Sequence, residues 1–253
     1  MECPAIPPDA MIFSKNGITT VIDSPVRMEI LRIVMEGEQR FDEIVKKLNK
    51  AKSTISVHLH DMIDAGILAE RADDNDARRK YLYLNADYLG TITQSDKEAL
   101  SESVSFRPAI TSGAKGPASV FRLIFNTIRT SLLKSGVNIE PVLFRAGIDA
   151  GEEIAKLVFD SSDEIFLINL RDFFSKNGLG NIVIEKRDPW VITVKNCYEC
   201  QDLPKIKRPA CFFDSGLLTS VFSYKTGKEV LVEETHCYAK GDPFCRFVIT
   251  KIN

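Results

Sequence analysis

The cysteines are the residues whose spacing points most directly to chemistry. The chain has six of them, and five lie after position 196. Cys211, Glu234, Cys237 and Cys245 combine three thiols with one carboxylate. Such groups are competent ligands for tetrahedral zinc, and a closed set of four ligands makes a structural site. We therefore predict zinc as a cofactor here; metal-free redox thiols and ordinary buried cysteines remain open as alternatives.

Cys197 and Cys200 form a Cys-x-x-Cys pair shortly before this set. The spacing is typical of a metal half-site or of a dithiol switch. A redox pair, a second metal half-site and thiols without a special role all remain open. Our hypothesis assigns a redox role to Cys197 and Cys200 together with Cys237 and Cys245.

The predicted secondary structure must bring these side chains together. Residues 230–237 and 244–252 have the pattern of two strands around the turn Gly241-Asp242-Pro243, so a hairpin would place Cys237 beside Cys245. Cys211 lies before a helix predicted at 216–224 and could supply the fourth ligand. The fold class predicted for this half of the chain is α+β with an antiparallel sheet. Its other helices are predicted at 118–133, 142–159 and 164–176, and its other strands at 180–186 and 190–196.

Two of these helices carry informative patterns. Gly147 and Gly151 lie inside the helix at 142–159, where each costs about 1 kcal/mol. That cost predicts close packing or the approach of a ligand. The helix at 118–133 is predicted to be amphipathic, with Val120, Ile124 and Ile128 near one face.

Residues 24–84 have the pattern of a winged helix-turn-helix. Ser24-Pro25 predicts a cap followed by proline at the first helical position. Helices follow at 41–48 and 52–65, and strands at 67–71 and 80–84 enclose an Asp/Asn-rich hairpin. Two helices joined by a short turn, with a polar second helix, are typical of a DNA-reading unit. The alternative is a small helical domain with a solvated polar face.

The third helix can be divided by angle at about 100° per residue. Ile55, Leu59, Met62 and Ile63 fall on one face and must point inward. The other faces carry short hydroxyls, a methyl-bearing side chain and an imidazole, which suit base edges and phosphates. The wing adds a cationic cluster suited to phosphate. The predicted DNA-binding residues are Lys52, Ser53, Thr54, Ser56, Val57, His60, Arg78, Arg79 and Lys80.

Composition limits the possible functions. The 253 residues are enough for two cores, and 33 basic against 35 acidic residues leave the chain without the overall basic bias of many DNA binders. No run of about 18 apolar residues predicts a membrane span. The start lacks a basic region followed by an apolar stretch, so we expect no secretory signal and a cytoplasmic protein.

The predicted domain organisation has three parts. Residues 1–95 form the DNA-binding domain, 96–117 a connector and 118–253 a second domain that contains the cysteine set. A linking or dimerising helix is expected at 96–104, and a proline- and glycine-containing linker at 106–117.

The N-terminal stretch resembles the ArsR-type winged-helix repressors. The resemblance rests on Ser24 to Arg27, Ile30-Leu31, Phe41 to Ile44, Ser53 to Leu59, Ala65 to Leu68 and Arg78 to Leu84. It covers about a quarter of the chain. Ala51 stands where such helices often carry a hydroxyl cap, and the cysteine pair that some members use for metal sensing in the third helix is absent.

The second half resembles the 4-vinyl-reductase-type sensor domain from about Ala118 to Ile252. The resemblance is strongest in Phe213 to Leu218, Val232 to Cys237 and Gly241 to Phe247. It implies zinc held by the Cys-Glu-Cys-Cys set of aromatic-sensing activators, here Cys211, Glu234, Cys237 and Cys245. Those relatives bind small apolar ligands above the zinc, so such a ligand is an expected partner.

The whole chain resembles redox-responsive regulators of methanogenic archaea, which pair these two domains. The resemblance implies a regulator that binds double-stranded promoter DNA when reduced, and we expect it to act as a repressor. We also expect a homodimer, because one winged helix buries too little DNA surface for tight specificity. The expected interface comprises residues 12–22, residues 96–104 and faces of the second domain. The alternative is a small-molecule-sensing regulator with a purely structural zinc. A thiol or reductase enzyme is less favoured, because we find no glycine-rich phosphate loop and only three histidines.

Overall fold

The structure is a computed structural model that describes residues 8–73, 79–93 and 116–252. The chain divides into two compact units, one at residues 6–93 and the other containing residues 94–253. Both units mix helices with antiparallel sheets, which confirms the predicted fold class. The helix expected at 96–104 and nearly all of the linker expected at 106–117 lie outside the described residues. Among the described residues, no helix combines the length and apolarity needed to cross a membrane.

The smaller unit has the helix-turn-helix and wing that the sequence predicts. Its helices are α1 (Pro25–Met35), α2 (Phe41–Leu48) and α3 (Lys52–Asp64). Its strands are β1 (Ala10–Lys15), β2 (Ile18–Ile22), β3 (Gln39–Arg40), β4 (Leu68–Ala72), β5 (Lys80–Leu84) and β6 (Asp87–Ile92).

The turn between α2 and α3 is short because Asn49 adopts the left-handed conformation, with φ 49°, and ends α2. Asparagine tolerates this region better than most residues. Pro25 occupies the first turn of α1 as predicted, but Ser24 makes no side-chain capping hydrogen bond. Ala51, at the corresponding position before α3, has no side chain that could cap it.

Two sheets complete the smaller unit. The wing has the strand order β3-β5-β4, with Leu68 opposite Leu84 and Ala72 opposite Lys80. In the second sheet, β1 pairs with both β2 and β6. The sequence predicted no strands at residues 10–22, and β6 was not predicted either. Met11, Phe13 and Ile22 are buried with the helix residues in one core, because alternate positions of β1 face inward.

The larger unit contains four helices and five strands among its described residues. The helices are α4 (Pro117–Lys134), α5 (Glu140–Val158), α6 (Asp163–Lys176) and α7 (Phe212–Thr226). The strands are β7 (Val137–Asn138), β8 (Asn181–Arg187), β9 (Trp190–Lys195), β10 (Val230–His236) and β11 (Cys245–Lys251). An antiparallel sheet has the order β10-β11-β9-β8. The helix predicted at 216–224 begins four residues earlier, directly after Cys211.

Glycines let α5 and α7 cross at close range. A Cβ atom at Gly147 would lie 2.2 Å from the carbonyl oxygen of Phe213, and one at Gly216 would lie 2.1 Å from that of Phe144. Backbone atoms cannot yield at such distances, so only glycine fits. The helical glycines thus serve close packing, one of the two roles that the sequence suggested, and they fix α7 on α5.

Helix α4 reverses the usual orientation of an amphipathic helix. Val120, Ile124 and Ile128, the predicted apolar stripe, are each more than half exposed. The buried face is largely polar and contains Asn126 and Arg129. What α4 covers must therefore be polar, and it is the loop that carries Cys197 and Cys200.

Candidate functional sites: a nucleic-acid interface and a metal centre

Helix α3 presents its predicted reading face to solvent. Ile55, Leu59 and Met62 are buried and Ile63 packs against the same core, which confirms the predicted inward face. The six candidate reading residues of α3 are all exposed: Lys52, Ser53, Thr54, Ser56, Val57 and His60. The fold therefore leaves this face available to a ligand.

A cleft of about 530 Å³ separates α3 from the wing. Ser56 and His60 line it from the helix, and Arg79 and Lys80 line it from the wing. Arg78 lies outside the described residues. Arg40, which was not among the predicted DNA-binding residues, lines the same cleft. Its Nε donates a hydrogen bond to Glu43 Oε1 at 3.1 Å. Its position directly before α2 was the sequence feature that could have indicated a role in DNA binding.

Lys80 and His60, which lie on this face, each have an exposed acidic neighbour. Lys80 Nζ lies 2.5 Å from Glu70 Oε2, and His60 Nε2 lies 3.5 Å from Asp64 Oδ2. Exposed ion pairs of this kind contribute only about 0–1 kcal/mol. Exchange of such a carboxylate for a DNA phosphate therefore costs little.

The five cysteines that the structure describes lie in one buried cluster, and all are free thiols. Cys200 Sγ and Cys245 Sγ are only 3.1 Å apart. Cys211 Sγ is central: it lies 3.6 Å from both Cys197 and Cys245 and 3.9 Å from Cys237. Sequence reasoning treated the Cys-x-x-Cys pair as separate from the other three cysteines, but the fold brings them together.

Four segments supply the cluster. Cys197 and Cys200 lie in the turn after β9, and Cys211 is the residue before α7. Cys237 follows β10, and Cys245 begins β11. The predicted hairpin is present, and Asp242 Oδ2 accepts a hydrogen bond from the Cys237 amide at 2.8 Å within its turn.

A bulge in β10 aims Glu234 at the same cluster as Cys237. In a regular strand, residues three apart face opposite sides. The pairing of β10 with β11 shifts register between Glu234 and His236, which changes this alternation. Consequently one Glu234 oxygen and the sulfurs of Cys211, Cys237 and Cys245 all lie within 4.8 Å of one another.

Glu234 has an oxygen without a partner. Its Oε2 accepts hydrogen bonds from the amides of Ala210 and Cys211, at 3.1 and 2.9 Å. Its Oε1 is buried and has no hydrogen-bond partner. A buried, unpaired carboxylate oxygen is costly. A cation among the nearby sulfurs would satisfy it, so the donor set fits a zinc ion.

The cysteines of the cluster differ in the direction in which their pKa values are shifted. Hydrogen bonds from Cys200, Cys211 and Cys245 lower the pKa of Cys237. Burial opposes ionisation of Cys197, but hydrogen bonds from its neighbours prevail and lower its pKa. Burial raises the pKa of Cys211. Thus Cys197 and Cys237 are the sulfurs that most readily carry negative charge.

Glu199, inside the Cys-x-x-Cys turn, was not selected from the sequence. Its Oε1 and Oε2 accept hydrogen bonds from the amides of Phe213 and Asp214, at 3.0 and 2.9 Å, and so cap α7. Burial raises the pKa of Glu199 to about 8, and the Arg129 guanidinium opposes that shift. An acidic residue between two cysteines was the only sequence signal.

Arg129 connects α4 to the cysteine turn. Its Nη1 lies 3.3 Å from Glu199 Oε1, and this ion pair is almost fully buried. Its Nη2 donates to the carbonyl oxygen of Ala210, the residue before Cys211. Arg122 and Asn126 reach Gln201 and Tyr198 from the same helix face. The three- and four-residue spacing of these polar side chains could have indicated this face.

Comparisons with known proteins match the two units separately. The family model described as bacterial regulatory protein, arsR family, matches residues 24–70, and the model of the 4-vinyl-reductase-type domain matches residues 190–251. The uncharacterized protein MJ0855 of Methanocaldococcus jannaschii is 25% identical over 229 residues, covering 89% of this chain and 88% of that protein.

Two solved structures are also similar. One is a vinyl-4-reductase family protein from Methanocaldococcus jannaschii, with 19% identity, a TM-score of 0.40, and coverage of 63% of this chain and 94% of that one. The other is the phenol-responsive sensory domain of the transcription activator PoxR with phenol, with 16% identity, a TM-score of 0.40, and coverage of 78% and 90%. By the two family models, the chain carries an ArsR-type helix-turn-helix domain followed by a 4-vinyl-reductase-type domain.

Proposed function

We propose that this protein is a DNA-binding transcriptional repressor whose 4-vinyl-reductase-type domain senses redox state and whose DNA binding is favoured when the cysteines are reduced. The single observation that carries the proposal is the fully buried cluster of five free cysteines in a chain that also has an ArsR-type DNA-binding domain. In this proposal residues 1–95 bind DNA, 96–117 connect, and 118–253 sense.

In this proposal α3 supplies the base contacts, and the wing together with the start of α3 supplies the phosphate contacts. Ser53, Ser56, Val57 and His60 read base edges, since they project from the exposed face of α3. Lys52 and Thr54, at the start of α3, and Arg78, Arg79 and Lys80, on the wing, contact phosphates.

Zinc is the cofactor that the sensor would hold, through Cys211, Glu234, Cys237 and Cys245. The unpartnered Oε1 of Glu234 supports this set. Bound zinc would keep the thiolates deprotonated and tie the β10–β11 hairpin to the start of α7.

The redox step uses the closely spaced sulfurs of Cys200 and Cys245. Hydrogen peroxide oxidises the Cys245 sulfur, which zinc ligation would hold as a thiolate, to a sulfenic acid and releases hydroxide. The Cys200 thiol then attacks that sulfur, a disulfide forms, and water leaves. Cys200 Sγ and Cys245 Sγ are 3.1 Å apart, so little movement is required. Both residues are buried, so the oxidant reacts when this part of the unit opens locally.

Arg129 would transmit the change. Oxidation pulls Cys200 toward Cys245 and displaces the turn that holds Glu199. The buried Arg129–Glu199 pair then shifts with it. Helix α4 carries Arg129 and follows directly on the 96–117 connector in sequence, which leads to the DNA-binding domain.

The active form is a homodimer in this proposal, because a dimer reads two half-sites about one helical turn apart. Exposed apolar side chains support the two described parts of the expected interface. Ile18 and Val21 lie in the segment 12–22, and Val120, Ile124 and Ile128 lie on α4.

Light scattering should give a dimer for the wild type, and the double substitution Ile124→Glu with Ile128→Glu should give monomers. Ile165→Glu, at a comparably exposed site on α6, should remain dimeric.

The decisive experiment measures affinity for the DNA upstream of the protein's own gene, with and without peroxide. Oxidation should weaken binding at least about tenfold, or ~1.4 kcal/mol, and a dithiol reductant with zinc should restore it. Cys245→Ser and Cys237→Ser should lose the response, whereas Cys3→Ser should keep it. An oxidised protein that binds with unchanged affinity would overturn the redox proposal and favour a small apolar ligand as the signal.

A further inference from the structure

The cysteine cluster contains two overlapping sets of four metal-ligand atoms. One is the proposed zinc set of Cys211, Glu234, Cys237 and Cys245. The other consists of Cys197, Cys200, Cys211 and Cys245, whose sulfurs all lie within 4.8 Å of one another. The sets share Cys211 and Cys245, and each has two ligands of its own. This overlap is a property of the fold, because the Cys-x-x-Cys turn and the hairpin are far apart in sequence.

We propose that the cluster binds two divalent ions at once, with Cys211 and Cys245 as thiolate bridges between them. The first ion has Glu234 and Cys237 as its other ligands, and the second has Cys197 and Cys200. This inference rests on the proposed zinc site and extends it to a second metal site.

Most of the sulfur spacings suit tetrahedral coordination. Zinc–sulfur bonds of about 2.3 Å place two ligands of one ion about 3.8 Å apart. The two bridging sulfurs are 3.6 Å apart, Cys211 and Cys237 are 3.9 Å apart, and Cys197 and Cys211 are 3.6 Å apart. Cys200 and Cys245 are 3.1 Å apart, so these two ligands must separate by about 0.7 Å to bind one ion. An iron–sulfur cluster also uses four cysteines. It has inorganic sulfides between the irons and would spread the thiolates farther apart than they are here.

Cys211 is the residue that argues most strongly for bridging. Its sulfur lies within 3.9 Å of Cys197 of the second set, of Cys237 of the first set and of the shared Cys245. A thiolate that bound one ion alone would need to lie near the ligands of one set only. A bridging thiolate must lie near ligands that belong only to the first set and near ligands that belong only to the second.

Charge balance permits the second ion. With one ion, four anionic ligands around a divalent cation leave a net charge of −2. The second ion adds two positive charges and the Cys197 and Cys200 thiolates that bind it add two negative charges, so the net charge is again −2. Filling the second set therefore adds no buried charge, while it supplies four metal–sulfur bonds in place of weak S–H hydrogen bonds.

Asp214 provides an independent sign of a cation near Cys197. The residue is fully buried, its Oδ2 lies 3.4 Å from Cys197 Sγ, and its Oδ1 has no hydrogen-bond partner. A buried carboxyl beside a metal-bound thiolate can orient that ligand or ligate the ion itself. The ion expected is zinc or another divalent metal that favours tetrahedral sulfur ligation.

The test is metal stoichiometry on the full-length chain purified without oxygen. The reduced apo-protein is loaded with excess Zn²⁺ or Co²⁺, desalted, and analysed for bound metal per chain. Wild type and Cys3→Ser should hold two ions. Cys197→Ser with Cys200→Ser should hold one, and so should Glu234→Gln with Cys237→Ser. With cobalt, filling the second site should weaken the paramagnetic resonance signal of the first, since thiolate bridges couple the two spins.

Each result either supports or contradicts a second, bridged metal site. If a variant fails to fold, the paramagnetic resonance signal of cobalt-loaded wild type still distinguishes one ion from two bridged ions. One ion in wild type, lost with Glu234→Gln but kept with Cys197→Ser, would overturn the second site and leave the proposed zinc site standing. One ion lost with Cys197→Ser but kept with Glu234→Gln would overturn both assignments. Two ions with an undiminished cobalt signal would contradict the bridges.

Discussion

The two candidate sites are built in opposite ways. The candidate DNA-binding surface is formed by one exposed helix and one hairpin, and its Lys80 makes an ion pair with Glu70 that solvent can replace. The cysteine cluster is formed by four separate segments, and each of its sulfurs is buried. The first site can lose one side chain without disturbing its neighbours. In the second, the sulfurs and the carboxyl groups of Glu199 and Glu234 are hydrogen-bonded to one another or to nearby amides, so the loss of one side chain leaves buried partners unsatisfied.

This contrast separates two kinds of energetic effect. Substitutions on the exposed face should change recognition and leave folding intact. Substitutions around the cluster should change folding of the larger unit first, and through it any signal.

Metal removal should have the largest effect. Structural zinc contributes about 10–16 kcal/mol to folding in small peptide systems. A strong chelator under reducing conditions should therefore lower the melting temperature of the larger unit and leave that of the smaller unit unchanged. Calorimetry of the full chain would resolve the two transitions. A smaller unit that melted early as well would contradict the separation of the two sites.

Arg129→Met should be the most harmful single substitution outside the cysteines. It removes the buried hydrogen-bond donors of the Glu199 carboxyl and the Ala210 carbonyl, and each buried polar group left unsatisfied costs about 1–3 kcal/mol. Chemical denaturation of the larger unit would measure the loss. The control is Arg122→Ala, which removes a partly exposed ion pair with Asp202 from the same helix and should cost about 0–1 kcal/mol. Equal losses would show that burial of the pair is irrelevant.

His60→Ala should alter base preference at a cost of about 1–3 kcal/mol for the preferred operator, if His60 reads a base edge. Arg79→Ala should instead weaken binding to all sequences and reduce the salt dependence by roughly one phosphate contact. Fluorescence anisotropy at several salt concentrations would distinguish them. A changed salt slope for His60→Ala with an unchanged slope for Arg79→Ala would exchange the two roles. Both variants should melt like the wild type.

Ala51→Ser should stabilise the smaller unit slightly. Ala51 precedes α3 with φ −60° and ψ 136°, the backbone conformation of a cap residue, and a serine there could accept an amide hydrogen bond worth roughly 1 kcal/mol. Ser24→Ala should change stability by less than about 0.5 kcal/mol, because Ser24 makes no such bond. A large loss for Ser24→Ala in thermal melts would show that its hydroxyl does cap α1.

The sequence alone was enough to predict the DNA-binding unit. Helix periodicity identifies the inward face of α3, since Ile55, Leu59 and Met62 recur at the spacing of one helix face. Whatever lies opposite that face must be exposed. The hairpin of Cys237 and Cys245 was predictable for a similar reason, because it is a local structure with a recognisable turn. Strand β6 was missed because its alternation is weak and its partner, β1, is distant in sequence.

Only the tertiary structure decided what surrounds the candidate metal centre. No local pattern indicates that the Cys-x-x-Cys turn lies against Cys211 and Cys245, because that proximity depends on the sheet order β10-β11-β9-β8 and on the position of α7. The roles of Glu199 and Arg129 depend on the same long-range packing. Helical pattern likewise suggested an inward apolar stripe on α4, but the surface it covers is a polar turn, so its polar face is buried instead. Sequence periodicity shows which faces of an element differ, whereas the neighbouring elements determine which face is buried.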